Sequence, residues 1–396
     1  MPLSAYRSPT MAGTALGRTV ERMTRPGELD AAGSATDGRA ADDMVDWDLA
    51  VQTARRMMKP GPQVSPAQAR EAVEELRSGA AKAEAHVRGY TGLEAEAATA
   101  PVVVVDRPGW VQANADGLRV VLRPLAAKMR SVRTPGGIAN AVGPKVTGVE
   151  AGTLLGFLAS KVLGQFDPFW PGPPATSSSG QTAGRLLLVA PNIVQAELDL
   201  DVDPREFRLW VCLHEETHRV QFTAVPWLTG HVHGEIAELL GATEIDPGKF
   251  ATMLREGFGN LVDLVRGKGE QSLLDLVQTP EQRKVLDRLT AVMSLLEGHA
   301  DVVMDGVGPA VIPSVETIRE RFQERRKGSS ALDQLLRRLL GLEAKMRQYR
   351  DGAAFVRGVV DTVGIDGFNA VWTSPDTLPS SAEVADPAAW VRRVHG

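Results

Sequence analysis

The 396-residue chain is predicted to fold as an α+β protein, mostly helical with a small β-sheet. Three observations predict it. Apolar residues recur at helical spacing over most of the length. Only two short aliphatic runs, 102–105 and 185–190, carry a strand signature. Turn-forming Pro, Gly and Ser residues gather in a few long connections instead of at the 8–12-residue intervals of an all-β chain.

The elements follow in order. Residues 1–43 are rich in Ala, Gly, Ser, Thr and charge, with Leu3, Leu16, Val20 and Leu29 as their large aliphatics. Such a segment buries too little apolar surface to offset its ordering entropy and is expected to be a disordered tail. It also lacks the apolar region of a secretory signal. Ser65-Pro66-Ala67-Gln68 is a capping box with proline at the first helical position, opening a helix toward Arg88. Val102–Val105 is the first strand. A helix follows from Trp110 to Met129, interrupted at Pro124, and another from Val149 to Leu163. Phe166–Thr182 reads as a loop, and Arg185–Ala190 as the second strand. Asp203-Pro204 starts a helix that Pro226 stops. Thr279-Pro280-Glu281-Gln282 opens another, expected to end near Gly306. Phe250–Arg266, Val315–Arg326 and Ala331–Arg350 also have helical spacing, and Thr373–Pro387 reads as a loop.

Composition excludes several classes of function. With 43% apolar and 23% charged residues the chain is an ordinary globular one, neither collagenous nor mainly disordered. A net charge of −5 gives no reason to expect nucleic acid or an anionic membrane as partner. The apolar run 153–164 is too short to span a bilayer and contains Lys161. One cysteine, Cys212, implies no disulfide framework. A cytoplasmic protein is expected; its oligomeric state is not encoded in any of these features.

The chemistry is concentrated in His214-Glu215-Glu216-Thr217-His218, the pattern H-E-x-x-H. At roughly 100° per residue, His214 and His218 lie about 40° apart on one helix face and can converge on one ion. Glu215 is about 100° round, able to reach a water on that ion without ligating it. Two His ligands with Glu as general base is the zinc-hydrolase arrangement. With only 7 histidines in the chain, the pattern is expected by chance in roughly one or two per cent of such sequences. Phe207, Trp210, Val211 and Val225 share the histidine stripe, so the pair is predicted to face inward. Glu216, about 200° from His214, is predicted on the opposite, wet face. Without a metal, two core imidazoles and a buried carboxylate would be costly to satisfy.

A catalytic zinc takes a third protein ligand and leaves one position for water. Downstream, Glu297 and Asp301 are four residues apart, on a face shared with Leu286, Met293, Ala300 and Met304. Glu297 is the expected third ligand, and Asp301 the carboxylate that holds the free ring nitrogen of a ligand histidine. The rivals are His299, on the other side of the same helix, and His231, His233, Glu235 and Glu238 in GHVHGEIAELL. The alternative for that segment is a loop leading into a helix.

At these residues the sequence resembles a gluzincin. More closely, it resembles the actinobacterial zincin-like family labelled "zinc-dependent metalloprotease" or "deazaflavin-coenzyme biosynthesis-associated protein". The segments LLLVAPNIVQAE, REFRLWVCLHEETHRVQFTAVPWL and MSLLEGHADVVMDGVG carry the likeness, which covers about residues 44–372. It implies a zincin-like metalloprotease core, one domain over 44–396, binding Zn²⁺ and acting on a peptide or small amide through a water activated by Glu215. The 79 residues from His218 to Glu297 exceed the compact gluzincin spacing, implying a helical insertion at about 230–278. Tyr349, His231 and His233 are candidate oxyanion donors. By analogy the strand Leu186–Ala190 is the edge that takes the substrate. The competing readings are a catalytically inactive zincin-like binding or scaffold protein with a structural metal, and a hydrolase acting on a small molecule.

Overall fold

The computed structural model describes residues 44–95, 100–132, 138–172, 184–241, 279–327 and 342–396. The expected tail 1–43, the helix 250–266 and most of the insertion 230–278 lie outside the described residues.

Helices dominate as expected. α1 (Trp47–Met57) is capped by Asp46, whose carboxylate accepts from the Leu49 N–H. α2 (Pro66–Thr91) begins at the anticipated capping box, where Ser65 and Gln68 satisfy each other's backbone N–H groups, and ends at Gly92 in the left-handed region, φ 68°. Strand β1 (Val102–Val105) leads through Asp106, which caps Gly109, into α3 (Arg107–Val121). The break at Pro124 is real: α4 (Arg123–Val132) restarts there because proline is tolerated in a first turn. α5 (Ile138–Leu158) begins about ten residues before the periodicity suggested and carries Pro144 internally.

The sheet differs from expectation in one important way. β2 (Gly164–Asp167), half of which falls within the stretch read as a loop, is a third strand. The order is β1-β3-β2, with β3 (Arg185–Val189) parallel to β1 and antiparallel to β2. β3 is therefore the centre of the sheet, not its edge. That explains its unbroken aliphatic run. Leu186 and Leu188 face one core, with α2, while Leu187 and Val189 face a second, with α1 and α3.

From β3 the chain passes into α6 (Ala190–Leu200) and α7 (Pro204–Ala224), which Asp203 caps through the N–H groups of Arg205 and Glu206. α8 (Pro226–Gly241) follows; the GHVHGEIAELL segment lies within it as helix, not loop. α9 (Pro280–Val311) opens on the Thr279/Gln282 capping box and runs through Gly306 to Val311, five residues beyond the expected stop. Gly306 has a packing role instead: a Cβ there would lie 2.2 Å from the Tyr90 ring. α10 (Val315–Lys327) matches its expected span, and α11 (Leu342–Phe368) extends well past Arg350. The anticipated loop 373–387 contains a 3₁₀ turn at Pro375–Thr377 and a short helix, α12 (Ser381–Ala385), before α13 (Pro387–His395). No helix among the described residues is long and apolar enough to cross a membrane.

α9 and α11 touch backbone to backbone. A Cβ on Gly352 would lie 2.0 Å from the Ser294 carbonyl oxygen, and one on Gly298 would lie 2.2 Å from the Gly352 carbonyl carbon. Both helices must therefore be bare at that crossing, one residue from Glu297. Gly352→Ala is expected to destabilise the fold by about 1–3 kcal/mol, the usual cost of overpacking. A lowered chemical-denaturation midpoint would show it; an unchanged midpoint would mean that the helices do not meet there.

Candidate metal centre

The site is built where α7 crosses α9. Of the predicted apolar stripe, Phe207, Val211 and Val225 are buried and Trp210 is half-buried. On α7, His214 and His218 stand one turn apart with ring centroids 4.9 Å from each other. Glu297 reaches them from α9, its Oε2 3.7 Å from His214 Nε2 and 3.8 Å from His218 Nε2. All three donor atoms lie within 4.8 Å of one another. Tetrahedral bonds of about 2.0–2.1 Å would set neighbouring ligand atoms roughly 3.3 Å apart, so the donors need only a small contraction to hold zinc. The side chains keep 29%, 14% and 25% exposure respectively, so the cluster faces an opening.

Glu215 is buried between α7 and β2. A Cβ on Gly164 would sit 2.5 Å from Glu215 Cδ and 2.9 Å from its Oε1, so the strand accepts this carboxylate only because residue 164 has no side chain. Burial pushes the Glu215 pKa up to about 8, with the Glu297 and Glu216 carboxylates adding to the shift.

Glu216 corrects the sequence reading. It is 0% exposed, not wet. Its partner explains why: Arg219 Nε donates to Glu216 Oε2 at 2.6 Å, and the same guanidinium binds Glu84 on α2 and the Ala100 carbonyl. α2 covers the face of α7 that helical geometry alone left to solvent. A charge on a buried face is tolerable once it is paired.

Asp301 is exposed on α9. The ring nitrogen of His218 turned away from Glu297 meets Gln221: Nδ1 lies 3.0 Å from Gln221 Oε1. His299 is fully buried and does not join the three donors. It stacks on Phe368 at 5.3 Å, and its Nδ1 lies 2.9 Å from Gln221 Nε2. Desolvation pushes its pKa down to about 3.

The other candidates also separate. His231 packs edge-on to Trp227 and lines a cavity of about 630 Å³ bounded by Asp287, Arg288, Glu383 and Arg393, none of them a donor of the cluster. His233 is exposed beside Phe169. Glu235 and Glu238 pair with Arg288. Tyr349 lies on α11, with its side chain outside the described residues.

Two residues at the site were not anticipated. Gln221 had a signal: it stands three residues after His218, on the same helix face. Gly164 had none, because its role exists only once β2 lies against α7.

A family model for zincin-like metallopeptidases matches residues 45–391. A crystal structure described as that of a candidate hydrolase with a novel fold, from Chloroflexus aurantiacus, is similar at 30% identity and a TM-score of 0.63, covering 89% of this chain and 99% of that one. No curated protein matches.

The raised Glu215 pKa has a consequence for stability. In the unfolded chain its carboxyl ionises near its ordinary value; in the folded metal-free protein it holds its proton up to about 8. The folded state therefore binds more protons between those values, and stability falls as pH rises through that window. Thermal melts of metal-free protein from pH 5 to pH 8 should show this decline, and Glu215→Gln should flatten it. An equal slope in both proteins would place the carboxylate in water.

Proposed function

This chain belongs to the zincin-like metallopeptidase family, and on that premise we propose that it is a zinc-dependent peptidase or amidase, hydrolysing a peptide or small amide with Glu215 as general base. One observation carries the proposal: three partly exposed donors, His214, His218 and Glu297, converge beside a buried carboxylate that belongs to neither ligand helix face's solvent edge. A structural zinc site is closed by four protein ligands, whereas the three donors found among the described residues, with an opening beside them, suit a site that admits water and substrate. That favours catalysis over a scaffold with a structural metal.

A zinc ion held there would act as a Lewis acid on the scissile carbonyl and lower the pKa of a water toward about 7. Glu215 takes the proton of the attacking water and passes it to the leaving amine. Its walled position against Gly164 aims the carboxylate and keeps bulk water from competing.

The substrate edge is reassigned from β3 to β2. β3 is hydrogen-bonded on both sides and cannot take another strand. Val189 N–H donates to the Leu163 carbonyl at 2.8 Å, so by antiparallel alternation the backbone groups of Gly164 and Phe166 point away from β3. An extended peptide added there would run past Glu215. A cytoplasmic location and the link to deazaflavin-coenzyme biosynthesis have no counterpart in the site's chemistry and form no part of the proposal.

Metal quantification on the purified protein, followed by a peptide-library screen with and without chelator, tests the reading. Glu215→Gln should keep the metal and lose about 10²–10⁴-fold in hydrolysis; full activity would remove Glu215 from the mechanism. Glu297→Ala should weaken zinc binding strongly and His299→Ala much less, and the reverse order would move the third ligand. Gly164→Ala should lower kcat with metal content unchanged, because the new methyl group displaces the carboxylate by more than an ångström, enough to cost about 10²-fold. An unaltered kcat would show that the carboxylate position does not matter.

A further inference from the structure

Gln221 is fully buried and makes three polar contacts at the crossing of α7 and α9. Its Nε2 lies 2.9 Å from the Leu296 carbonyl oxygen and 2.9 Å from His299 Nδ1, and its Oε1 lies 3.0 Å from His218 Nδ1. The chemistry of these atoms leaves one arrangement. A backbone carbonyl only accepts, so the Gln221 atom facing Leu296 must be the amide nitrogen. The amide oxygen then faces His218 and can only accept, so His218 Nδ1 must donate. The second amide hydrogen points at His299 Nδ1, which must accept, leaving the His299 proton on Nε2. One backbone carbonyl thus settles the tautomers of two histidines.

The consequence falls on the donor cluster. A neutral His218 with its proton on Nδ1 presents a bare Nε2, the atom 3.8 Å from Glu297 Oε2. A metal ligand must offer an unprotonated nitrogen, and the hydrogen bond at the other nitrogen determines which one that is. The same amide grips α9 at Leu296, the residue before Glu297. His299 is itself held, stacked on Phe368 at 5.3 Å and edge-on to Trp372 at 5.4 Å, so the far end of the chain of contacts cannot swing away.

Resting on the metal-site reading above, we propose that Gln221 is a positioning residue for that site: it presets His218 as the Nδ1–H tautomer and ties the helix of the two histidines to the helix of Glu297. A residue that merely filled space here would change stability alone. Gln221 is expected to change the state of an atom it does not own.

The test is made on metal-free protein. Nitrogen-15 spectra of histidine-labelled wild type at pH 8.5, assigned with His218→Gln and His299→Gln, should show His218 protonated on Nδ1 and His299 on Nε2. In Gln221→Leu the His218 ring should shift toward the Nε2–H form, and zinc Kd, measured by competition with a chelator, should rise 10- to 100-fold. Gln221→Glu keeps the acceptor for His218 and loses both donors, so it should retain the His218 tautomer. Wild-type His218 protonated on Nε2 overturns the proposal whether or not any variant folds, and so does a wild-type zinc Kd in Gln221→Leu. A wild type with the expected tautomers that takes up no zinc would instead overturn the metal-site reading and leave the hydrogen-bond assignment standing.

Discussion

Everything at this site depends on α7 and α9 crossing closely enough for Glu297 to stand within 3.7–3.8 Å of two imidazoles that lie 79 and 83 positions earlier in the chain. Such closeness is not free. It places a carboxylate beside the buried Glu215 and two rings beside one another, all partly stripped of water. Their mutual repulsion shows in the Glu215 carboxyl, which burial and Glu297 push up to about 8. A divalent cation held by the three donors would supply the opposite charge.

The surroundings hold the crossing from three sides. On one, Gly298 and Gly352 let α11 press against the back of α9. On another, α2 covers α7, and the buried Glu216–Arg219–Glu84 cluster replaces with paired charges the water that Glu216 would otherwise need. On the third, β2 lies so near α7 that a glycine must stand opposite Glu215. Gln221 works at the centre, meeting the Leu296 carbonyl and Nδ1 of both histidine rings at once. A buried amide with every polar atom partnered is specific about geometry, because any shift of either helix would leave one of them unpaired.

Features set by near neighbours in the chain were legible in advance. The caps at Ser65, Asp203 and Thr279 appear as expected, because each is a contact over three residues. So do the inward stripe of α7 and the ring convergence of His214 and His218, which follow from helical period alone. Glu297 was preferred to His299 by the same reasoning, and the structure brings Glu297, not His299, to the pair. What failed depended on a neighbour from elsewhere. Helical projection put Glu216 on the far side of α7, correctly; only α2 made that side dry. The aliphatic run of β3 signals a buried strand, but a strand is central or at an edge only relative to its partners, and β2 was hidden among Pro, Gly and Ser.

The sequence by itself determined the helices, the donor pair and the kind of chemistry they can do, since bond geometry and the 3.6-residue period need nothing beyond a few adjacent residues. Only the tertiary structure decided which strand lies at the centre of the sheet, where Glu215 rests and which group meets His218 Nδ1. Each of those depends on contacts between segments far apart in the chain. No local pattern encodes such contacts, because they come into being only when the helices pack.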